Sequence, residues 1–176
     1  MQDRPGSIAL FVSSVALAMA IHWLHEAAHM LTAISFGVSG VMGTNTVSYA
    51  TEMTETQVIW TTAAGPGLMV VFALLAAASR WRWAPTVLFV VFLQRAMAAG
   101  ISAISLPNDE ARLSLLLGLG TWSVFALTVG ITAALFIWRW RKDGLGWVWL
   151  GISWFGVSIG IAAMVALNGV LPKIVF

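Results

Sequence analysis

The chain has 176 residues and is strongly apolar: 60% of its residues are hydrophobic, 9% are charged, and the mean hydropathy is +0.90. This composition excludes an ordinary water-soluble domain and indicates a polytopic membrane protein. A net charge of +2 does not indicate a nucleic-acid partner, because the basic residues lie mostly at segment ends and form no patch. Cysteine is absent, so any bound metal must use histidine and oxygen ligands.

Five apolar segments are long enough, at about 20 residues each, to cross a hydrocarbon layer of about 30 Å. They run from Ile8 to Phe36, Val58 to Ser79, Ala84 to Leu106, Leu115 to Trp138 and Leu145 to Leu167. Apart from residues 37–57 the connections are short, and no repeat or low-complexity linker interrupts the chain. We therefore predict an all-α membrane helix bundle that forms one integral membrane domain over residues 1–176.

The long connection after the first segment carries an alternating pattern. Residues 46–50, which include Tyr49, follow several glycines and Asn45. This pattern predicts a short extended segment or hairpin, although an ordinary loop would also fit it. An exposed edge there could pair with an extended polypeptide.

Charge predicts the orientation of the bundle. Alternation of five spans places most basic residues on the side of the N-terminus, namely Arg4, Arg80, Arg82, Arg139, Arg141 and Lys142, against Arg112 and Lys173 on the other side. Tryptophans cluster at the same segment ends, as an interfacial belt requires. We predict a multi-pass protein of a prokaryotic cytoplasmic membrane, with the N-terminus inside and the C-terminus outside.

The first segment contains the pattern His25-Glu26-Ala27-Ala28-His29. A helix turns by about 100° per residue, so histidines four apart share a face and both imidazoles can reach one metal ion. Beside that ion, the Glu26 carboxylate can accept a proton from water. His22, one helical turn before His25, is either a structural histidine or a residue that supports the metal ligands from outside.

A third ligand is available in the link between the third and fourth segments. His25 lies about 25 Å along the first segment from Ile8, and therefore near the outer face of the membrane. Asp109 and Glu110 lie in a link on that same side. Two histidines and one carboxylate with an open fourth position suit a hydrolytic zinc ion. We therefore predict a zinc site near the outer face.

Three motifs, by their order and spacing along the chain, resemble those of a short subgroup of the site-2 protease-like intramembrane zinc metalloproteases. They are His25-Glu26-Ala27-Ala28-His29, Ala64-Gly65-Pro66-Gly67 and Asn108-Asp109-Glu110-Ala111-Arg112-Leu113. The resemblance covers residues from about 20 to 115 and does not extend to the last two segments. It implies one zinc ion held by His25, His29 and Asp109, with Glu26 as the general base. The implied activity is hydrolysis of a peptide bond in or near a transmembrane segment of another membrane protein.

Further polar residues are candidates for supporting roles. Gln94 and Arg95 lie near the middle of the third segment and should face the bundle or a water-filled cavity. Arg95, Asn108 and Tyr49 are candidates for binding substrate or stabilising an oxyanion. A structural hydrogen bond for Arg95 and a helix N-cap for Asn108 are the alternatives. Glu110 is a candidate for supporting the metal ligands from outside.

The segment Gly65-Pro66-Gly67 has a physical interpretation of its own. Glycines permit close approach of backbones, so it could pack tightly against the helix that carries His25 and His29. Alternatively, Pro66 simply marks the beginning of a helix.

Two other functions remain open. A zinc-dependent membrane hydrolase could use the same ligands on a lipid-like substrate, and a cleft lined for acyl chains would favour it. A non-catalytic metal-binding or transport protein could use the intramembrane histidines and carboxylates as an ion path.

Overall fold

A computed structural model describes residues 6–176 and leaves Arg4, used in the charge count, outside the described range. Within that range six helices form: α1 (Ser7–Ser35), α2 (Glu55–Ala78), α3 (Ala84–Ile104), α4 (Asp109–Leu116), α5 (Ser123–Lys142) and α6 (Trp147–Leu167). All except α4 are long and apolar enough to cross a membrane. The predicted helical membrane bundle with five candidate spans is therefore confirmed.

Three of the five spans match the predicted segments closely. The helices α1, α3 and α6 differ from them by at most two residues at either end. Helix α2 begins earlier than predicted, because Thr54 and Gln57 form a capping box, in which each side chain bonds the backbone N–H of the other.

The fourth predicted segment, Leu115 to Trp138, was wrong as a single helix. The chain instead forms α4, a turn and α5. Gly118 and Gly120 have φ values of 68° and 75°, a left-handed conformation that glycine adopts without steric cost and that ends α4. Helix α5 then continues to Lys142, where basic residues in the last turn interact favourably with the helix dipole.

Helix α1 packs along α6 and α2. Small residues make the α1–α6 approach close. A β-carbon on Gly156 would lie 2.8 Å from Ser14 Cβ, and one on Gly160 would lie 2.7 Å from the Val15 carbonyl oxygen. Such backbone proximity is typical of helix pairs in membranes. It holds α1, and the histidines on it, against the bundle.

The connection between α1 and α2 forms the predicted hairpin. Strands β1 (Gly40–Met42) and β2 (Val47–Tyr49) pair antiparallel, with Gly40 opposite Tyr49. A third strand, β3 (Ile174–Val175), was not predicted and pairs with the other edge of β1, so the sheet order is β2-β1-β3. Among the described residues no backbone hydrogen bond reaches the outer edge of β2.

Polar contacts fix the hairpin turn to the end of α6. Thr44 donates its hydroxyl to the Met164 carbonyl at 2.7 Å, and the Asn45 backbone N–H donates to Asn168 Oδ1 at 3.0 Å. The turn also reaches α1, because His22 Nε2 donates to Asn45 Oδ1 at 2.8 Å. The hairpin is therefore held beside the end of α1 that carries the two histidines.

Candidate metal centre

Three side chains from α1 and α4 converge on one point. His25 Nε2 and His29 Nε2 lie 3.2 Å apart, and Asp109 Oδ2 lies 3.1 Å from the first and 3.2 Å from the second. The two histidines share a face of α1, and Asp109 is the first residue of α4. These residues form the group that could hold a metal ion among residues 6–176.

The spacing of the three atoms suits a small cation. A tetrahedral site with metal–ligand distances of 2.0–2.1 Å has ligand–ligand distances of about 3.3–3.4 Å. The observed distances of 3.1–3.2 Å are close to that value. Little adjustment of the side chains is therefore needed to accommodate an ion such as zinc.

The protonation of His29 supports the same interpretation. Its Nδ1 lies 2.6 Å from the Thr61 carbonyl oxygen, which can only accept, so Nδ1 carries the proton. A histidine that binds metal must be neutral, so with an ion bound the proton on Nδ1 would leave the lone pair of Nε2 free to coordinate the ion beside Asp109 Oδ2, 3.2 Å away. A backbone carbonyl bonded to the far nitrogen is also a common way of orienting a histidine that binds metal.

Asp109 is held as a carboxylate. Burial raises the pKa of Asp109, but without a bound ion His25 and His29 in their Nε2-protonated forms donate hydrogen bonds to the carboxylate, which outweigh burial and bring the pKa below its ordinary value. An ionised oxygen ligand at this position completes the donor set that a hard or borderline divalent cation prefers.

Gly65 on α2 lies directly against the histidine pair. A β-carbon built on it would lie 2.4 Å from both His25 Cε1 and His29 Nε2, which is far inside van der Waals contact. The predicted close packing of this segment is therefore present, and Gly65 provides it. Gly67 has nothing within 4 Å of such a β-carbon. Pro66 lies inside α2, so its interpretation as a helix start was wrong.

Glu26 lies beside the cluster and lines the same cavity. This cavity has a volume of about 290 Å³ and is bounded by the metal cluster, the hairpin and α4. Glu26 is only 7% exposed, and Asn45, Thr46 and Tyr49 contribute polar groups to the wall. The arrangement places an acid–base side chain and room for water next to the candidate ligands.

The remaining predicted site residues separate into two groups. Tyr49 lines the cavity from β2, and burial raises its pKa to about 12, so it is a neutral hydrogen-bonding group there. His22 bonds to Asn45 rather than joining the metal cluster. Gln94 faces the bundle as predicted and donates to the Ala18 carbonyl at 3.2 Å.

Arg95, Asn108 and Glu110 also line this cavity, but their side chains bond to the protein itself. Arg95 Nη1 donates to Glu110 Oε1 at 2.8 Å, and Glu110 has no exposed surface. Glu110 is thus directed at Arg95, and Asp109 is the acid of the two that faces the histidines. Asn108 occupies the N-cap position of α4, but its side chain makes no capping bond and instead donates to the Ala98 carbonyl at 2.8 Å.

Two contacts were missed from the sequence. The Thr61 carbonyl that orients His29 belongs to the backbone, so no side-chain pattern marks it. The position of Thr61 gives one signal, because Thr61 precedes Gly65 by four residues and so lies on the face of α2 that meets the histidines. Asn45 was noted only as a turn residue, and its bond to His22 joins elements distant in sequence.

No protein-family model matches the chain, and no curated protein or solved structure matches it. The fold and the site define a class: a multi-pass membrane protein in which two buried histidines and one partly exposed aspartate could hold a metal ion. A more specific function has to be argued from the site itself.

Replacing Asp109 by alanine should remove one of the three candidate ligands and weaken the binding of zinc, used as the probe ion, by more than about 100-fold, beyond the usual effect of losing an outer-shell partner. After zinc loading and dialysis against a weak chelator, the purified protein should hold one zinc ion per chain and the variant close to none. The exposed Glu52 offers a control, and Glu52→Ala should keep its zinc. Full zinc content in Asp109→Ala would remove Asp109 from the ligand set.

Proposed function

We propose that the protein is an intramembrane zinc metalloprotease, similar to site-2 proteases, that hydrolyses peptide bonds in or near transmembrane segments. One observation carries this proposal: His25, His29 and Asp109 converge within 3.1–3.2 Å, beside Glu26, at a polar cavity between candidate membrane spans. This is the donor set of a hydrolytic metal site, beside a cavity with room for water.

The chain's own residues supply the proton transfers. Bound zinc would polarise the substrate carbonyl and increase the acidity of water. Glu26, adjacent to His25 on α1, accepts the proton of the attacking water and later donates it to the departing amine. Because Glu26 is almost fully buried, bulk water does not compete for that proton.

The hairpin provides a means of presenting the substrate. Peptide bonds within a helix are shielded, so a substrate must be extended before water can attack it. Strand β2 borders the cavity through Val47 and Tyr49, and its outer edge makes no backbone bonds among residues 6–176. An extended substrate can add to this edge as a further strand. Tyr49 is the best placed of the three predicted substrate-binding residues, since Arg95 and Asn108 bond to Glu110 and Ala98.

The structure also bears on the lipid-hydrolase alternative. An apolar cavity of about 710 Å³ lies between α1, α6 and the hairpin, and its walls suit an acyl chain. None of His25, Glu26, His29 and Asp109 lines it. An acyl chain bound there would not contact the metal cluster, so the peptide-bond proposal rests on the metal cluster and the hairpin, and the lipid hydrolase is an outcome of the test below.

The proposal is tested with the purified protein in lipid nanodiscs. The probe is a set of tagged single-span proteins whose transmembrane segments contain glycine, proline or asparagine, which loosen a helix. We expect cleavage of at least one probe after zinc loading, loss of cleavage with a chelator, and recovery when zinc is restored. Release of fatty acid from the nanodisc phospholipids without peptide cleavage would replace the proposal by a lipid hydrolase. Zinc accumulation in proteoliposomes without hydrolysis would replace it by a transporter.

A further inference from the structure

We propose that helix α3 holds the third metal ligand in place, with Arg95, acting through Glu110, and Asn108 as positioning residues for Asp109. The inference rests on the metal site of the proposed function and does not depend on peptide hydrolysis.

Three consecutive residues at the start of α4 carry the inference. Asp109 faces α1 and lies 3.1–3.2 Å from the two histidine nitrogens. The residue on each side of it bonds to α3. Asn108 donates its side chain to the Ala98 carbonyl at 2.8 Å and its backbone N–H to Ser102 Oγ at 2.9 Å. Glu110 accepts from Arg95 at 2.8 Å. Asp109 is thus fixed from both sides.

Helix α4 needs this support because it is short. It has eight residues, and helices of this length are not stable by themselves. It is followed by the turn that contains Gly118 and Gly120. The two histidines, in contrast, belong to the 29-residue helix α1. Apart from the bonds to α3, α4 is held by packing against α2 and α5 and by the Val124 N–H, which donates to Ser114 Oγ at 3.0 Å, five residues from Asp109.

The buried Arg95–Glu110 ion pair also supports a positioning role for α3. Both side chains are buried, at 5% and 0% exposure. A buried ion pair seldom stabilises a fold more than well-packed apolar residues of similar size, because removing both charges from water is costly. Its effect is instead on geometry, because the bond between this guanidinium and this carboxylate fixes the rotation of α4 about its own axis. That rotation determines where the adjacent Asp109 side chain points.

The test measures zinc affinity by chelator competition on the purified, metal-depleted protein. Glu110→Gln and Asn108→Ala should each lower the affinity about 10–100-fold, the usual effect of losing a partner of a metal ligand. The double variant Arg95→Met/Glu110→Met removes both charges together, so its thermal stability should recover relative to Glu110→Gln. Its zinc affinity should remain low. With cobalt in place of zinc, the visible absorption bands of these variants should change shape, because the ligand geometry changes.

A second ion pair, between the buried Arg139 and the partly exposed Asp143, provides the control. Arg139 on α5 donates to Asp143 Oδ2 at 2.6 Å and to the Ser79 carbonyl at 2.7 Å. Ser79 follows the end of α2, about 20 Å along that helix from Gly65, so this pair is remote from the metal cluster. Asp143→Asn should lower stability and leave zinc affinity and the cobalt spectrum unchanged.

The outcomes separate the two proposals. If the unmodified protein binds no zinc, the metal site and the proposed function fail together. If it binds zinc and both the double variant and Asn108→Ala bind it equally well, α3 does not position Asp109, while the proposed function stands. An equal loss of zinc affinity in Asp143→Asn would show a general effect of stability and would also overturn the inference.

Discussion

Glu26→Gln should retain zinc and lose peptide cleavage. The glutamine amide has nearly the same shape as the carboxylate, but it cannot accept a proton from water. Glu26 lies outside the group of residues that could hold the metal. Loss of a general base typically lowers the rate by about 10²–10⁴-fold. Zinc content and the rate of cleavage of the single-span probe, measured on the same preparation, check both parts of this expectation.

A matched substitution is available on α2. Glu55 is exposed in the first turn of that helix and does not line the cavity. Glu55→Gln therefore makes the same chemical change outside the site and should retain full cleavage. If Glu26→Gln cleaves at the normal rate, Glu26 is not the base. If it loses zinc, Glu26 acts as a ligand instead.

Gly65→Ala should abolish zinc binding although it adds only one methyl group. That methyl would lie 2.4 Å from His25 Cε1 and His29 Nε2, so at least one imidazole must move away from the cluster. Both histidines belong to α1, which packs closely along α6, so the backbone has little freedom to retreat. We expect zinc affinity to fall by more than about 100-fold, since ligands themselves are displaced rather than an outer-shell partner.

The control lies two residues along the same helix. Gly67 has no atom within 4 Å of an added β-carbon, so Gly67→Ala should bind zinc normally. Replacing a helical glycine by alanine there can even stabilise the helix, by up to about 1 kcal/mol. Chelator competition on the two variants compares the same chemical change in crowded and open surroundings. Equal zinc affinity in both would show that contact with Gly65 does not shape the site.

The parts of the structure that follow local rules could be predicted from the sequence. The spacing of His25 and His29 is a property of a single helix, and apolar length alone identified the five spans. The break before α5 could not be predicted in this way, because leucines surround Gly118 and the segment remains apolar across it. Only the backbone conformation of Gly118 and Gly120 reveals the turn.

Contacts between distant elements were less predictable. Asp109 was chosen from its expected depth and from the family resemblance, and the structure brings it to the histidines from 80 and 84 residues away. The partner of Arg95 was not apparent, because an ion pair between α3 and α4 depends on how the two helices are turned relative to each other. The strand β3 is only two residues long, so its sequence carries no usable pattern.

The separation of 84 residues between His25 and Asp109 has a consequence for how the chain holds together. A metal ion shared by these residues would act as a cross-link that closes a long loop and disfavours the unfolded chain. Binding confined to the folded state adds stability in proportion to the logarithm of the free metal concentration. The ion would then serve the scaffold as well as the reaction, and a cell short of zinc would hold a looser bundle as well as an inactive one.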